Sequence, residues 1–361
     1  MKRTFLLITA AATFAGCSTE LDINAPYKDI SVVYGLLNMR DSVHLVKINK
    51  AYLGEGDAYT FAQIADSNEY QGEDITYAKV FRIGSSGAVI DSFPLDDTLI
   101  TNREPGNFYS PVQKLFYFRT PFAQMLPPLN GTRMYLWQDD RYELRLRAKG
   151  NTITGSTEIT NDFSIAAQDQ SLDAEVNLMN PVGTGYGNYE FNWTARSDCK
   201  RFVISYRLRY DEIRGNDTLP RAITQKLGTR VTENSQNNEE LAIIFSGESF
   251  YSTVSTVIRS DGNHASADRR IFRGFDFLVE VANDDFHTYL TLTEPISGII
   301  EDRPSYSNVT GAYGVWGSRT NKNVIGKWLN PNSIEELING GHTGDLNFCV
   351  SIAPGGPLLC D

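Results

Sequence analysis

The chain has 361 residues, of which 41% are hydrophobic and 21% charged, and a formal net charge of −11. That is enough apolar matter for a packed core in one large or two ordinary domains, and it argues against intrinsic disorder. The negative charge repels phosphate backbones, so no nucleic acid is expected as a partner, and no run of apolar residues is long enough to cross a membrane as a helix.

Met1-Lys2-Arg3 is a short basic segment, and Phe5 to Ala15 is an apolar one. Together they read as a secretory leader, too short to span a bilayer. It ends in Phe14-Ala15-Gly16-Cys17, and small residues before a Cys resemble a bacterial lipobox. Residues 1–16 therefore read as a lipoprotein signal peptide, Cys17 as the lipidated residue and 17–24 as a short tether. The alternative is a plain secretory leader with an incidental Cys. Outer-membrane lipid is the first expected partner, since each buried acyl CH₂ contributes about 0.8 kcal/mol. Glu20 and Asp22 come soon after, as in the export signals of surface lipoproteins. They favour a surface-facing body over a periplasm-facing one.

Ile30 to Leu37 and Val43 to Ala51 are β-branched runs separated by Asn38-Met39-Arg40-Asp41. Tyr77 to Ile83 and Ala88 to Phe93 flank Gly84-Ser85-Ser86-Gly87, a hairpin signal. Leu115 to Arg119 is a short aromatic strand. Tyr142, Leu144, Leu146 and Ala148 alternate with Arg141, Glu143, Arg145 and Arg147, a half-buried strand with a basic outer face. Lys149-Gly150-Asn151 turns the chain into a partner strand, Thr152 to Thr160. These strands predict an Ig-like sandwich over residues 25–165. A polar bridge, Ala167 to Ala174, separates it from the second half of the chain.

Tyr189, Phe191 and Trp193 point to one face. Phe202, Ile204, Tyr206, Leu208 and Tyr210 then alternate strictly. A Trp-bearing strand followed by a Phe-x-Ile-x-Tyr strand resembles the B and C strands of fibronectin type III domains, which places Trp193 between two sheets. Any other antiparallel pair is the alternative. Phe250, Val254, Val257 and Ile258 form a helical stripe, predicting a helix near 248–260. Ser333-Ile334-Glu335-Glu336 reads as a capping box and Gly340-Gly341 as a stop, predicting a helix near 333–339. Phe275, Phe277, Val279 and Val281 alternate as a strand, and Leu290 and Leu292 share a face of the next. The expected fold is all-β: two antiparallel β-sandwich domains, the first Ig-like and the second, over 172–361, fibronectin III-like with short inserted helices.

With Cys17 lipidated, Cys199, Cys349 and Cys360 remain. Cys349 and Cys360 flank Ala353-Pro354-Gly355-Gly356-Pro357, a turn-prone run that predicts a local disulfide. Three reduced thiols, or pairing with Cys199, are the alternatives. No metal or other cofactor is expected. There is no Cys-x-x-Cys, and His44, His264, His287 and His342 include no pair four residues apart. Gly-x-Ser-x-Gly is absent. Gly183-Thr184-Gly185-Tyr186-Gly187 leads into a strand and reads as a turn rather than a phosphate loop. Asp96-Asp97, Asp139-Asp140 and Asp284-Asp285 read as solvated carboxylates before glycosidase pairs. The densest unusual chemistry is Glu301 to Val309 and Gly311 to Arg319. Within it, Tyr306, Tyr313 and Trp316 are a candidate platform for a glycan or a peptide. The favoured competing reading is a tightly packed closing strand with Arg303 or Arg319 in an internal ion pair.

Three stretches carry a family resemblance. They are the lipobox at Cys17, the run Tyr142-Glu143-Leu144-Arg145-Leu146 through Gly150 to Thr157-Glu158-Ile159-Thr160, and Arg303-Pro304-Ser305-Tyr306 through Gly314-Val315-Trp316-Gly317-Ser318-Arg319. Through them the chain resembles a broad group of Bacteroidota envelope lipoproteins of unassigned function, often encoded beside TonB-dependent outer-membrane transporters. The resemblance implies an envelope accessory protein with an outer-membrane β-barrel transporter as partner, and it transfers no catalytic residue. The expectation is a non-enzymatic, lipid-anchored outer-membrane lipoprotein acting as a binding or assembly module. A surface glycan-binding lipoprotein is the first alternative and a hydrolytic enzyme the second.

Overall fold

The computed structural model describes residues 30–51, 57–125, 133–180, 185–233, 238–294, 306–351 and 360. The leader, Cys17, the 17–24 tether, Gly183, Thr184, Arg303 and the Pro354–Pro357 turn lie outside the described residues.

The first sandwich begins with β1 (Ile30–Leu37) and β2 (Val43–Ala51), followed by the short helices α1 (Ala58–Ala62) and α2 (Ala65–Asn68). Then come β3 (Ile75–Ile83), β4 (Val89–Pro94), β5 (Asp96–Ile100) and β6 (Gln113–Arg119). A two-stranded excursion, β7 (Gln124–Met125) with β8 (Arg133–Met134), leads to β9 (Arg141–Ala148) and β10 (Asn151–Glu158). The ladder β5–β6–β2–β1 faces the ladder β4–β3–β9–β10. The chain changes sheet at Leu95, between β4 and β5. This is the connectivity of an immunoglobulin sandwich. The expected alternation in β9 holds: Tyr142, Leu144, Leu146 and Ala148 are buried, and they meet Val33, Val46, Ile48 and Ile153 in one core.

The second sandwich runs β11 (Ser164–Ile165), α3 (Ala167–Gln170), β12 (Asn188–Ala195), β13 (Arg201–Arg214), β14 (Asp217–Val231) and β15 (Glu239–Ser246). It continues with α4 (Gly247–Ser260), β16 (Arg269–Ala282), α5 (Asp284–Thr293), β17 (Val309–Thr310), β18 (Tyr313–Lys327), α6 (Pro331–Asn339) and β19 (Phe348–Cys349). The sheet β11–β12–β15 faces β14–β13–β16–β18, a fibronectin III arrangement. Trp193 is 2% exposed and lies against Phe191 and Phe202 between these sheets. The even-numbered residues from Phe202 to Tyr210 are all buried beside it. Helix α4 forms over the predicted span and buries Phe250, Val254 and Ile258 of its stripe together with Tyr251, while Val257 of the same stripe is exposed.

Four expectations need correction. Leu290 and Leu292 belong to α5, not to a strand. Asn283 caps that helix by accepting from Phe286 N, and Asp284 and Asp285 sit in its first turn, where the dipole favours them. Helix α6 starts two residues early because Asn330 caps it and Pro331, lacking an N–H, suits the first turn. Ser333 is not the cap; its Oγ accepts from Leu178 N at 2.8 Å. The polar bridge between the halves is itself packed. Asp169 is fully buried and accepts from Tyr189 Oη at 2.7 Å and Asn192 N at 3.0 Å. The buried Lys327 donates to the carbonyls of Gln168 and Ser171.

The largest correction concerns the domain boundary. The two cores are separate, yet residues 309–318 of the expected second domain close the first sandwich. β17 pairs with β10 at Thr310 and Thr154, and the first half of β18 runs parallel to β1, with Trp316 in register with Gly35. From Arg319 onward the same strand pairs with β16. One strand therefore serves both sandwiches and joins their sheets into a single nine-stranded sheet. Gly314 makes the close approach possible. Its φ is +123°, and a Cβ there would lie 1.9 Å from the Val33 carbonyl oxygen.

Candidate binding trough

The proposed aromatic platform does not assemble. Trp316 is fully buried in the first core, packed against Gly35 and Gly155, and its Nε1 donates to Tyr142 O at 2.9 Å. Tyr313 points the opposite way and is 52% exposed. Tyr306 is half-buried and leans on Asp285, its hydroxyl pushed up to about 12 by burial and then by that carboxylate. The physical reason is strand periodicity: residues three apart on one strand face opposite sides. The run is a packed closing strand as the competing reading has it, but without the internal ion pair: Arg319 is exposed, and Arg303 lies outside the described residues.

The remaining sequence candidates are structural. His44 is buried, stacks on Phe118 at 4.6 Å and bonds Thr120 Oγ1, and burial holds its pKa down to about 4. Asp97 pairs with Lys114, and Asp140 with Arg82. Asp285 accepts from Thr157 and Tyr306. Among the described residues, no group of three His, Cys, Asp or Glu is placed to hold a metal ion. Of the glycine run, the described Gly185 to Gly187 lead into β12, and a Cβ at Gly187 would meet the Met179 carbonyl oxygen at 2.8 Å. Cys349 and Cys360 form the expected disulfide, with Cα atoms 5.2 Å apart. Cys199 is free and buried, and burial pushes its thiol up to about 12.

A different feature emerges on the outer face of the second sandwich. Because the even positions of β13 are core, its odd positions face outward: Arg201, Val203, Ser205, Arg207, Arg209 and Asp211. A cleft of about 440 Å³ lies over this face between α5, the β1–β2 turn and the strands β13, β16 and β18. A second cavity of about 480 Å³ continues toward β14. Arg207 borders both, so the two lie side by side along β13, together called the trough below.

The floor is built around Asp276, which is fully buried. Its Oδ2 accepts from Arg207 Nε at 2.8 Å and Arg209 Nε at 2.9 Å, and its Oδ1 from Gly326 N at 2.8 Å. Gly274 lets Arg209 pass. Its φ is +137°, and a Cβ there would lie 2.7 Å from Arg209 Nη2. Arg201 is 9% exposed and pairs with Glu294 at 2.5 Å, while its buried Nε has no partner among the described residues. Arg273 pairs with Asp211 at 2.6 Å. The linings of the two cavities hold six arginines and two carboxylates, Asp211 and Glu280. With Asp276 beneath and Glu294 at the rim also counted, the arginines still outnumber the carboxylates, a local excess of positive charge in a chain of net charge −11 that favours anions.

Sequence reasoning passes over these residues, although the signal is present. The alternation that marks Phe202 to Tyr210 as core also marks Arg201, Arg207 and Arg209 as one outward row. What it does not show is that β16 and β18 bring Arg273 and Arg319 to the same face.

No protein-family model matches this sequence, and no curated protein sequence does. Among solved structures, the crystal structure of the C-terminal globular domain of an oligosaccharyltransferase from Pyrococcus abyssi aligns over 75% of this chain and 54% of that one, with 9% identity and a TM-score of 0.25. This chain thus spans about half the length of that domain.

Proposed function

We propose that this chain is a lipoprotein of the outer membrane, anchored through Cys17 with its body toward the cell surface, and that it works as a non-catalytic binding module accessory to a β-barrel transporter. The observation that carries the binding role is the arginine-lined trough. Its side chains suit recognition rather than proton transfer. Guanidinium groups carry no proton they readily give up, and the buried carboxylate beneath them, Asp276, is already held by two arginines and a backbone N–H. The Cys349–Cys360 bridge supports an envelope location, because disulfides persist in oxidising compartments.

A thermal-shift screen of the detergent-solubilised full-length chain tests the reading, since a ligand that binds only the folded state raises the melting temperature. The expected outcome is an envelope polysaccharide or peptide that stabilises the parent protein, is recovered unchanged, and stabilises Arg319→Gln less. Turnover of that ligand, or equal stabilisation of the variant, overturns it.

A further inference from the structure

We infer that the trough binds an acidic polysaccharide, whose carboxylates are taken by Arg201, Arg207 and Arg319. The inference rests on the binding-module reading and adds the class of ligand.

Three observations carry it. The first is charge: six arginines face four carboxylates, Asp211, Glu280, the buried Asp276 and Glu294, which leaves this face of an acidic chain positive and favours an anion. The second is Arg201, nine-tenths buried at the cleft. Glu294 engages its Nη2, and its Nε–H has no partner among the described residues. A buried donor left unmade is unfavourable, and a carboxylate oxygen in the cleft would satisfy it. Guanidinium and carboxylate are matched planar groups, so the pair also fixes orientation. The third is length. Arg201 and Arg209 lie eight residues apart on the outward side of one strand, about 26 Å at the usual rise. A row of that length serves an extended polymer better than a small anion.

The floor favours a polysaccharide over an acidic peptide. Asn321 and Asn323 line the cleft with amides, each offering donor and acceptor groups that match sugar hydroxyls. A peptide docking as an added strand needs a free sheet edge. Here β13 is paired on both sides, by β14 and β16, and β16 by β13 and β18, so the sheet's free edge lies at β14, on the margin of the trough and away from Arg201 and Arg319.

The test uses the full-length chain in detergent, with polygalacturonate as probe and neutral dextran and polyglutamate as comparisons. Polygalacturonate should bind, weaken as salt rises, and bind Arg201→Gln and Arg319→Gln about tenfold less well. Arg145→Gln, on the first sandwich, should bind like the parent. Arg319 is exposed, so its variant keeps the test readable should Arg201→Gln fail to fold. Absence of polygalacturonate binding overturns the inference, as does equal loss in Arg145→Gln. Tighter binding of dextran or polyglutamate, lost in Arg319→Gln, overturns the ligand class while the binding-module reading stands. A chain stabilised by no ligand in the thermal-shift screen loses both.

Discussion

The indole Nε1 of Trp316 donates to the carbonyl oxygen of Tyr142, 174 residues earlier, at 2.9 Å. Tyr142 lies on β9 and Trp316 on β18 beside β1, so this one bond crosses from one sheet of the first sandwich to the other. Asn308 holds the indole's own backbone on both sides, donating to Trp316 O at 2.7 Å and accepting from Trp316 N at 2.9 Å. A residue from late in the chain thereby completes the core of the first domain. The seam is reinforced where Thr160 meets Ser318, and where the Asn283 amide donates to Thr157 Oγ1 at 2.8 Å.

Trp316→Ala should lower stability by about 3–5 kcal/mol, the range for emptying a buried aromatic site. Tyr313→Ala, three residues away on the exposed face, should change it by less than about 0.5 kcal/mol. Urea titrations followed by circular dichroism compare the two. Similar midpoints for both variants would show that β18 does not close the first core.

Asp198 occupies a left-handed turn position, φ 61°, beside a cavity of about 300 Å³ that Asp139, Asp140 and Glu158 also line. Burial, then the hydrogen bond and charge of Glu158, push its carboxyl up to about 7. Between the ordinary carboxylate range and pH 7 the folded chain therefore binds more proton than the unfolded chain, so this group's contribution to stability falls as pH rises. Asp198→Asn removes the penalty, and an amide tolerates the same backbone conformation. The variant's melting temperature relative to the parent should rise from pH 5 to pH 8. An offset independent of pH would contradict the assignment.

The Cys349–Cys360 bridge closes a short loop, 11 residues in sequence separation, and ties Cys360 to β19 beside β16. Cys360 N also donates to Val350 O at 2.9 Å. Loop-closure entropy gives about 2–3 kcal/mol for such a ring, and Pro354 and Pro357 draw the gain toward the lower end. Cys360→Ser should lose that amount, and reducing agent should match it in the parent protein. Non-reducing peptide mapping should yield a 349–360 crosslink with Cys199 as a thiol; a crosslinked Cys199 peptide would refute the local staple.

Cys17→Ser should release the protein from the membrane fraction, because the anchor's strength scales with buried acyl carbon. Labelled palmitate should enter the parent chain and not the variant. Equal labelling of both would place the lipid elsewhere or nowhere.

Much of this architecture can be read from local pattern. Strand alternation in Tyr142 to Ala148 and Phe202 to Tyr210, the α4 stripe and the inward Trp193 all express geometry that repeats within two to four residues. So does the separation of Tyr313 from Trp316: an odd spacing on one strand already rules out a shared face. The Cys349–Cys360 disulfide likewise joins residues only 11 apart in sequence. Helix α5 escapes a sequence reading because its period competes with strand alternation over only ten residues, and the Asn283 cap decides it.

What only the tertiary structure decided is where a strand's edges go. Nothing within Tyr313 to Lys327 states that its first half should lie along β1 and its second along β16. That choice depends on two free sheet edges and on the space left by Gly35 and Gly155, both set far earlier in the chain. The trough has the same origin. Alternation puts Arg201, Arg207 and Arg209 on one side of one strand, but a charged cleft requires neighbouring strands to carry Arg273 and Arg319 alongside and Asp276 beneath. Periodicity fixes direction because it comes from backbone rise and pleat. Adjacency comes from the packing of distant segments, which no local spacing encodes.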